Sequence, residues 1–204
     1  MSLLHTPSLR APLIEVGCVH GRFQPFHNEH LEYVSRAFEL CRLLYVGITH
    51  SIPGCSQISE TAPHRHKEEA NPLTYMSRME MVLGALEEVG YDTRHVRIVP
   101  FPIESPGLIT NYVPRNAIHL LSPCDEWQIE KYRSLTAAGY HAQFVISSRK
   151  GIQATSIRAH LRKGEYMQQM VPPFVARYLE VLYQEPQLDL QSAAGLFGPG
   201  SSIG

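Results

Sequence analysis

The sequence predicts an α/β fold, a Rossmann-like open parallel sheet of about five strands with helices on both faces. Two observations lead there. Short apolar runs of strand length alternate with longer stretches of helical periodicity. A glycine turn, GRFQP, follows directly on the first such run and opens onto a helix. In open parallel sheets ligands bind beyond the carboxyl ends of the strands, at the topological switch point. That turn therefore marks the expected site.

Residues 13–20 (LIEVGCVH) read as a strand because the run is short and largely apolar. A helix runs from about His27–Asn28 to Cys41, with Leu31, Val34, Ala37, Phe38 and Cys41 on one face. LLYVGI (43–48) is the second strand. The polar stretch 49–72 reads as a functional or disordered loop. A helix over 72–90 has Pro72 near its first turn and Gly90 as its stop. Strands follow at 97–101, 116–121 and 141–147, interleaved with an irregular segment at 103–115 and a helix at 124–138. Helices at about 155–163 and 172–183 complete the pattern. Residues 1–185 read as one domain, and the Gly/Ser-rich segment 186–204 as a flexible C-terminal tail.

The chain of 204 residues carries 18 Lys+Arg against 19 Asp+Glu, a net charge of −1. No global positive field attracts nucleic acid, so any phosphate site is local. None of Cys18, Cys41, Cys55 and Cys124 pairs in C-x-x-C spacing, so neither a zinc site nor a disulfide framework is indicated. No apolar run approaches the roughly 18 residues of a membrane span. A cytoplasmic protein without membrane or nucleic-acid partners is expected, as a homo-oligomer.

GRFQPFHNEH is the first chemical constellation. Gly21 permits a turn after the strand, and backbone N–H groups of Gly21, Arg22, Phe23 and Gln24 and of the helix start can face an anion. His27 and His30 share one face of the first helical turn and can both donate to one phosphoryl group. Arg22 adds a guanidinium fork. RKGIQATSIRAHLRKG is the second. Thr155 and Ser156 are candidate caps, and Arg158 in the first turn can reach a β- or γ-phosphate, with Arg149 and Lys150 adding charge before it. The 49–72 loop carries His64 and Arg65, cationic groups suited to a lid over an acceptor phosphate. Phe101 and Tyr112 bound the segment that follows the third strand and should face the same cleft.

GRFQPFHNEH resembles the GRxQPFHxGH signature of the HxGH nucleotidyltransferase superfamily, especially the archaeal-type nicotinamide-nucleotide adenylyltransferases. IQATSIR resembles the ISxTxIR motif, with Ile152, Thr155, Ile157 and Arg158 retained. NPLTYMSR resembles NPFTxxER, with Arg78 retained and Ser77 in place of Glu. The likeness spans roughly residues 13–183. It implies that His27, His30 and Arg158 act on a triphosphate, with Gly21, Arg22, Phe23, Gln24, Ile152, Thr155 and Ser156 around the nucleotide. His64, Arg65, Arg78 and Tyr112 are expected on the acceptor side. It also implies Mg²⁺ carried on the substrate phosphates, with no metal site built by the protein. The motif glycine, which lets the nucleobase approach the backbone, is Glu29 here. The leading expectation is AMP transfer from a nucleoside triphosphate to a small phosphorylated acceptor such as nicotinamide or nicotinate mononucleotide. Cytidylyl transfer from CTP to a phosphonate or a sugar or alcohol phosphate is the alternative, since RKGIQAT is also similar to the RTEGIST segment of cytidylyltransferases. A non-catalytic nucleotide sensor is the reading from another class.

Overall fold

The computed structural model describes residues 13–51, 70–122, 126–144, 151–152, 154–162 and 169–184. His64, Arg65, Arg149, Lys150 and the expected tail 186–204 lie outside them. Five strands form one sheet: β1 (Ile14–Gly21), β2 (Cys41–Ile48), β3 (Val96–Pro100), β4 (Ile118–Leu121) and β5 (His141–Phe144). Their order is β3-β2-β1-β4-β5, and every described pair is parallel. The chain winds outward from β1 to β3, then returns to add β4 on the other side of β1. The switch point thus lies between the carboxyl ends of β1 and β4.

Helices α1 (Asn28–Leu40), α2 (Tyr75–Glu88), α3 (Glu126–Ala137), α4 (Ala154–Arg162) and α5 (Pro173–Gln184) cover the sheet. Strand side chains alternate between faces. Val19, Leu44, Val46 and Ile48 pack with α1, α2 and α5. Cys18 faces the other way and packs with Phe101, Ile109, Leu135 and Tyr140. No helix among the described residues is long and apolar enough to cross a membrane.

Several expected boundaries move, each for a local reason. The chain enters β2 at Cys41 rather than 43, because Cys41 is already extended and pairs with Ile14. The helix expected from Pro72 begins at Tyr75, since the Thr74 hydroxyl caps it by accepting from the Ser77 N–H. It ends at Glu88, and Gly90 supplies the positive φ after it. β4 begins at Ile118, after a turn in which the Ala117 N–H donates to Pro114. The last helices start one residue away from the expected positions, α4 at Ala154 and α5 at Pro173.

One glycine sets up the site from below. A Cβ on Gly47 would stand 2.7–2.8 Å from Cδ2, Cβ and Cγ of Phe101. Its absence lets the buried Phe101 ring lie on β2 and stack against His20, with centroids 4.3 Å apart. The clash reaches the Cβ of Phe101, so rotation of the ring does not relieve it. Gly47→Ala is expected to cost about 1–3 kcal/mol of stability through overpacking. A denaturant midpoint unchanged from the parent protein would show that Phe101 is not seated this way.

Candidate active site

The two turns at the switch point are held by one side chain. Arg78 in the first turn of α2 is 2% exposed. Its Nη1 donates to the carbonyls of Arg22 (2.9 Å) and Thr49 (2.8 Å), and Nη2 to that of His50 (2.9 Å). Nε donates to Thr74, at its own helix start. The turn after β1 is thereby joined to the turn after β2. Both contain a residue in the left-handed region, Phe23 (φ 53) and His50 (φ 51), which a bulky side chain adopts at a cost. Burial pushes the guanidinium down to about 10, still charged at neutral pH. Arg78 was expected to meet the acceptor. Its hydrogen bonds among the described residues all run to the protein's own carbonyls and tie the two turns together.

Gln24 and Phe23 are likewise turned inward. The Gln24 amide exchanges two hydrogen bonds with the backbone of Leu73, at 2.9 and 3.0 Å. Phe23 is buried against Phe26 and His30. Gly21, the last residue of β1, is required by that packing, because a Cβ there would lie 2.7 Å from the Phe23 ring. Of the residues expected to surround a nucleotide, these three contribute backbone and shape rather than side-chain contacts.

His27 occupies the N-cap position of α1. Its backbone N–H donates to Nδ1 of His30 at 3.3 Å, which leaves the proton of a neutral His30 on Nε2. The two imidazoles stack with centroids 3.5 Å apart. Burial lowers His27 to about 4, against a smaller upward pull from Glu29. Burial and the neighbouring His27, Arg22 and Lys131 hold His30 well below 6.5. The pair is therefore neutral.

Arg158 of α4 comes to the same loop. Buried at 7% exposure, it donates through Nη1 to the carbonyl of Gln24 at 2.7 Å, three residues before His27. Nη2 contacts Oγ1 of Thr155 at 3.2 Å. Thr155 thus lies inside the helix and orients the arginine, rather than capping α4 as expected. Ser156 is half-buried in the same turn, and its carbonyl lies 2.7 Å from Nδ1 of His160. Glu29 makes a second bridge between the two motifs. Its Oε1 accepts from the backbone N–H groups of Gly151 (2.5 Å) and Ile152 (2.7 Å).

Residues 18–160 of the chain match the cytidylyltransferase-like family. The protein belongs to this family of nucleotidyltransferases. It is 36% identical over 165 residues to phosphonoformate cytidylyltransferase of Streptomyces viridochromogenes, covering 80% of this chain and 90% of that one. It is 31% identical over 170 residues to nicotinamide-nucleotide adenylyltransferase of Thermococcus onnurineus, covering 80% and 81%. The bifunctional NMN adenylyltransferase/ADP ribose pyrophosphatase of Francisella tularensis shares the fold, with a TM-score of 0.62 at 18% identity over 93% of this chain. This chain spans 58% of that longer one.

In this nucleotidyltransferase the sequence motifs carried His27, His30 and Arg158 into one neighbourhood. Tyr112 is different: it is 41% exposed at the end of a 3₁₀ turn (Pro106–Asn111), and the aromatic brought to the switch point is Phe101. Sequence reading missed His20 and Lys131. Lys131, on α3, is buried with Nζ 3.4 Å from Nδ1 of His20. A lysine at an otherwise apolar helix position was the available signal.

The neutral histidines give the free enzyme a specific acid sensitivity. His27 and His119 both ionise near 4 in the fold and near 6.5 when exposed, burial being the leading cause for each. The stability contributed by their neutral forms is complete above pH 6.5 and is lost as the pH falls towards 4. Each accounts for up to about 3 kcal/mol. Unfolding free energies at pH 7 and pH 4.5 measure the loss, and a flat profile across that window would contradict it.

Proposed function

We propose that this nucleotidyltransferase moves a nucleoside monophosphate from CTP to a small phosphonate- or phosphate-bearing acceptor, releasing pyrophosphate. The observation that carries the phosphoryl chemistry is the Arg158–Gln24 hydrogen bond, which joins the two triphosphate motifs at the turn leading into His27 and His30. The acceptor oxygen attacks the α-phosphorus in line, and the bond to the β-phosphate oxygen breaks. Such a transfer needs positioned donors rather than a nucleophilic side chain. Neutral His27 and His30 stabilise the transferring phosphoryl group. Arg158 holds the departing pyrophosphate. The first turn of α1 and the backbone at Gly151 and Ile152 enclose the nucleotide. Among the described residues no group of three His, Cys, Asp or Glu could hold a metal ion. Mg²⁺ on the substrate phosphates and water would supply charge neutralisation.

Glu29 supports cytosine over adenine, against the preference for AMP read from sequence. A side chain stands where the motif has glycine, and its carboxylate occupies the N–H groups of Gly151 and Ile152. That fills space a purine would take and leaves an acceptor for an exocyclic amino group. The 36% likeness to a cytidylyltransferase agrees. The second reading, adenylyl transfer to a nicotinamide nucleotide, draws on the archaeal relatives at about 30% identity.

Pyrophosphate release measured with each of four nucleoside triphosphates tests the donor. CTP is expected to exceed ATP by about 10–200-fold in kcat/KM, the range a single pocket change delivers. Glu29→Gly is expected to narrow the ratio; a parent enzyme that prefers ATP would select the second reading. His30→Ala is expected to lower kcat by about 100-fold or more with the fold intact. Unchanged turnover would remove His30 from the mechanism, and tight triphosphate binding without any pyrophosphate release would favour the sensor.

A further inference from the structure

The start of α1 divides by chemistry. His27 and His30 stack on one face of its first turn. Asn28 and Glu29 lie round the axis from that face, since successive helical residues turn by about 100°. The Glu29 carboxylate holds the backbone of Gly151 and Ile152. Asn28 holds a third segment, the strap 169–172 that leads into α5. Its backbone N–H donates to the carbonyl of Met170 at 3.0 Å, and its Nδ2 to the carbonyl of Gln169 at 2.9 Å.

One residue thus takes two successive carbonyls, which fixes the orientation of the strap as well as its position. The α5 side of the strap is anchored independently. Val171 is 2% exposed in the core. The Phe174 N–H donates to Glu88 of α2 at 2.6 Å, and the Phe174 ring fills the space left by Gly84, where a Cβ would overlap it. Asn28 therefore holds the other end, where Gln169 is exposed. The first N–H groups of a helix have no partner inside it and are free to face an anion. Here the N–H of Asn28, at the first position of α1, is given to a carbonyl instead.

Two carbonyls and a carboxylate make this side of the turn rich in acceptors, and each keeps a lone pair beyond the bonds it already accepts. Such groups repel a polyphosphate. The imidazoles and the Arg158 guanidinium mark the side that receives one. The acceptor-rich side suits the uncharged part of a nucleotide, whose sugar hydroxyls and base amino group donate. We propose that Asn28 is a positioning residue for the nucleoside half of the donor. By fixing Gln169 and Met170 across the start of α1, it holds one wall of the nucleoside pocket in place before the triphosphate arrives. The inference rests on the nucleotidyl-transfer reading and adds a residue to it. Without the side-chain bond the strap is in place in only a fraction of molecules, and the apparent affinity for the nucleotide falls by that fraction.

Inorganic tripolyphosphate, which has the phosphates without the nucleoside, separates the two sides of the turn. Pyrophosphate release is measured for the parent enzyme, Asn28→Ala and Asn28→Gln with the nucleoside triphosphate that the parent prefers. Tripolyphosphate is the competing inhibitor. Asn28→Ala is expected to raise KM for the triphosphate about tenfold, the scale of one hydrogen bond. Its kcat should stay within about twofold and its inhibition by tripolyphosphate should be unchanged. Asn28→Gln keeps an amide donor and should restore part of the lost affinity. A fall in kcat at constant KM, which a smaller folded fraction gives, overturns the proposal. An equal loss of affinity for tripolyphosphate also overturns it, because the residue would then serve the phosphates. Should no nucleoside triphosphate give turnover with any acceptor, the nucleotidyl-transfer reading fails on its own. Equilibrium binding of CTP, ATP and tripolyphosphate then decides the role of Asn28, since Asn28→Ala must weaken a nucleotide and leave tripolyphosphate unchanged.

Discussion

A buried guanidinium encircled by carbonyl oxygens is the constraint on which the site depends. Arg78 takes the carbonyls of Arg22, Thr49, His50 and Thr74, from three separate segments. Each hydrogen bond to a charged group contributes about 1.5–3 kcal/mol, and a buried charge deprived of its partners costs more than the bonds alone. The network therefore acts as a unit. It can hold Phe23 and His50 in left-handed backbone conformations that neither residue favours by itself. Phe23 so placed buries its ring against Phe26 and His30, which sets the histidine pair at the start of α1. A lysine at position 78 has one nitrogen in place of the fork and cannot reproduce this frame.

Built on that frame, the site contributes orientation more than charge. Its two motif imidazoles are stacked and neutral, and the formal positive charge resides on arginine and lysine side chains placed around them. Neutral donors suit a step in which the negative charge on the transferring group is redistributed rather than created. Preorganised N–H groups then need no rearrangement as the bond to pyrophosphate lengthens. The Glu29 bridge to Gly151 and Ile152 and the Arg158 bond to Gln24 close the same loop from two directions, so the two motifs are joined.

The central sheet was legible in the sequence because parallel strands buried on both faces leave short apolar runs, and β1, β2 and β4 appear close to where those runs lie. Boundaries shifted where a single local hydrogen bond outweighed a composition signal, as at the Thr74 cap. His27, His30 and Arg158 were legible because their spacing within each motif reflects one helical turn and one strand end. The side-chain partners of Arg78 and Gln24 were not legible, for a shared reason. Their partners lie far away in the chain (Arg22 for Arg78, Leu73 for Gln24), and nothing local distinguishes a guanidinium aimed at a ligand from one aimed at carbonyls. Lys131 and His20 escaped notice likewise, since α3 meets β1 only through the fold.

The central claim is that His30 and Arg158 act on one and the same polyphosphate. A double-mutant cycle on kcat/KM, built from His30→Ala, Arg158→Met and the combination, measures it directly. Groups serving one transition state are coupled, and the account predicts an interaction energy of about 1 kcal/mol or more. Strict additivity, within about 0.3 kcal/mol, would mean that the two side chains act on separate events, and the shared site would be lost.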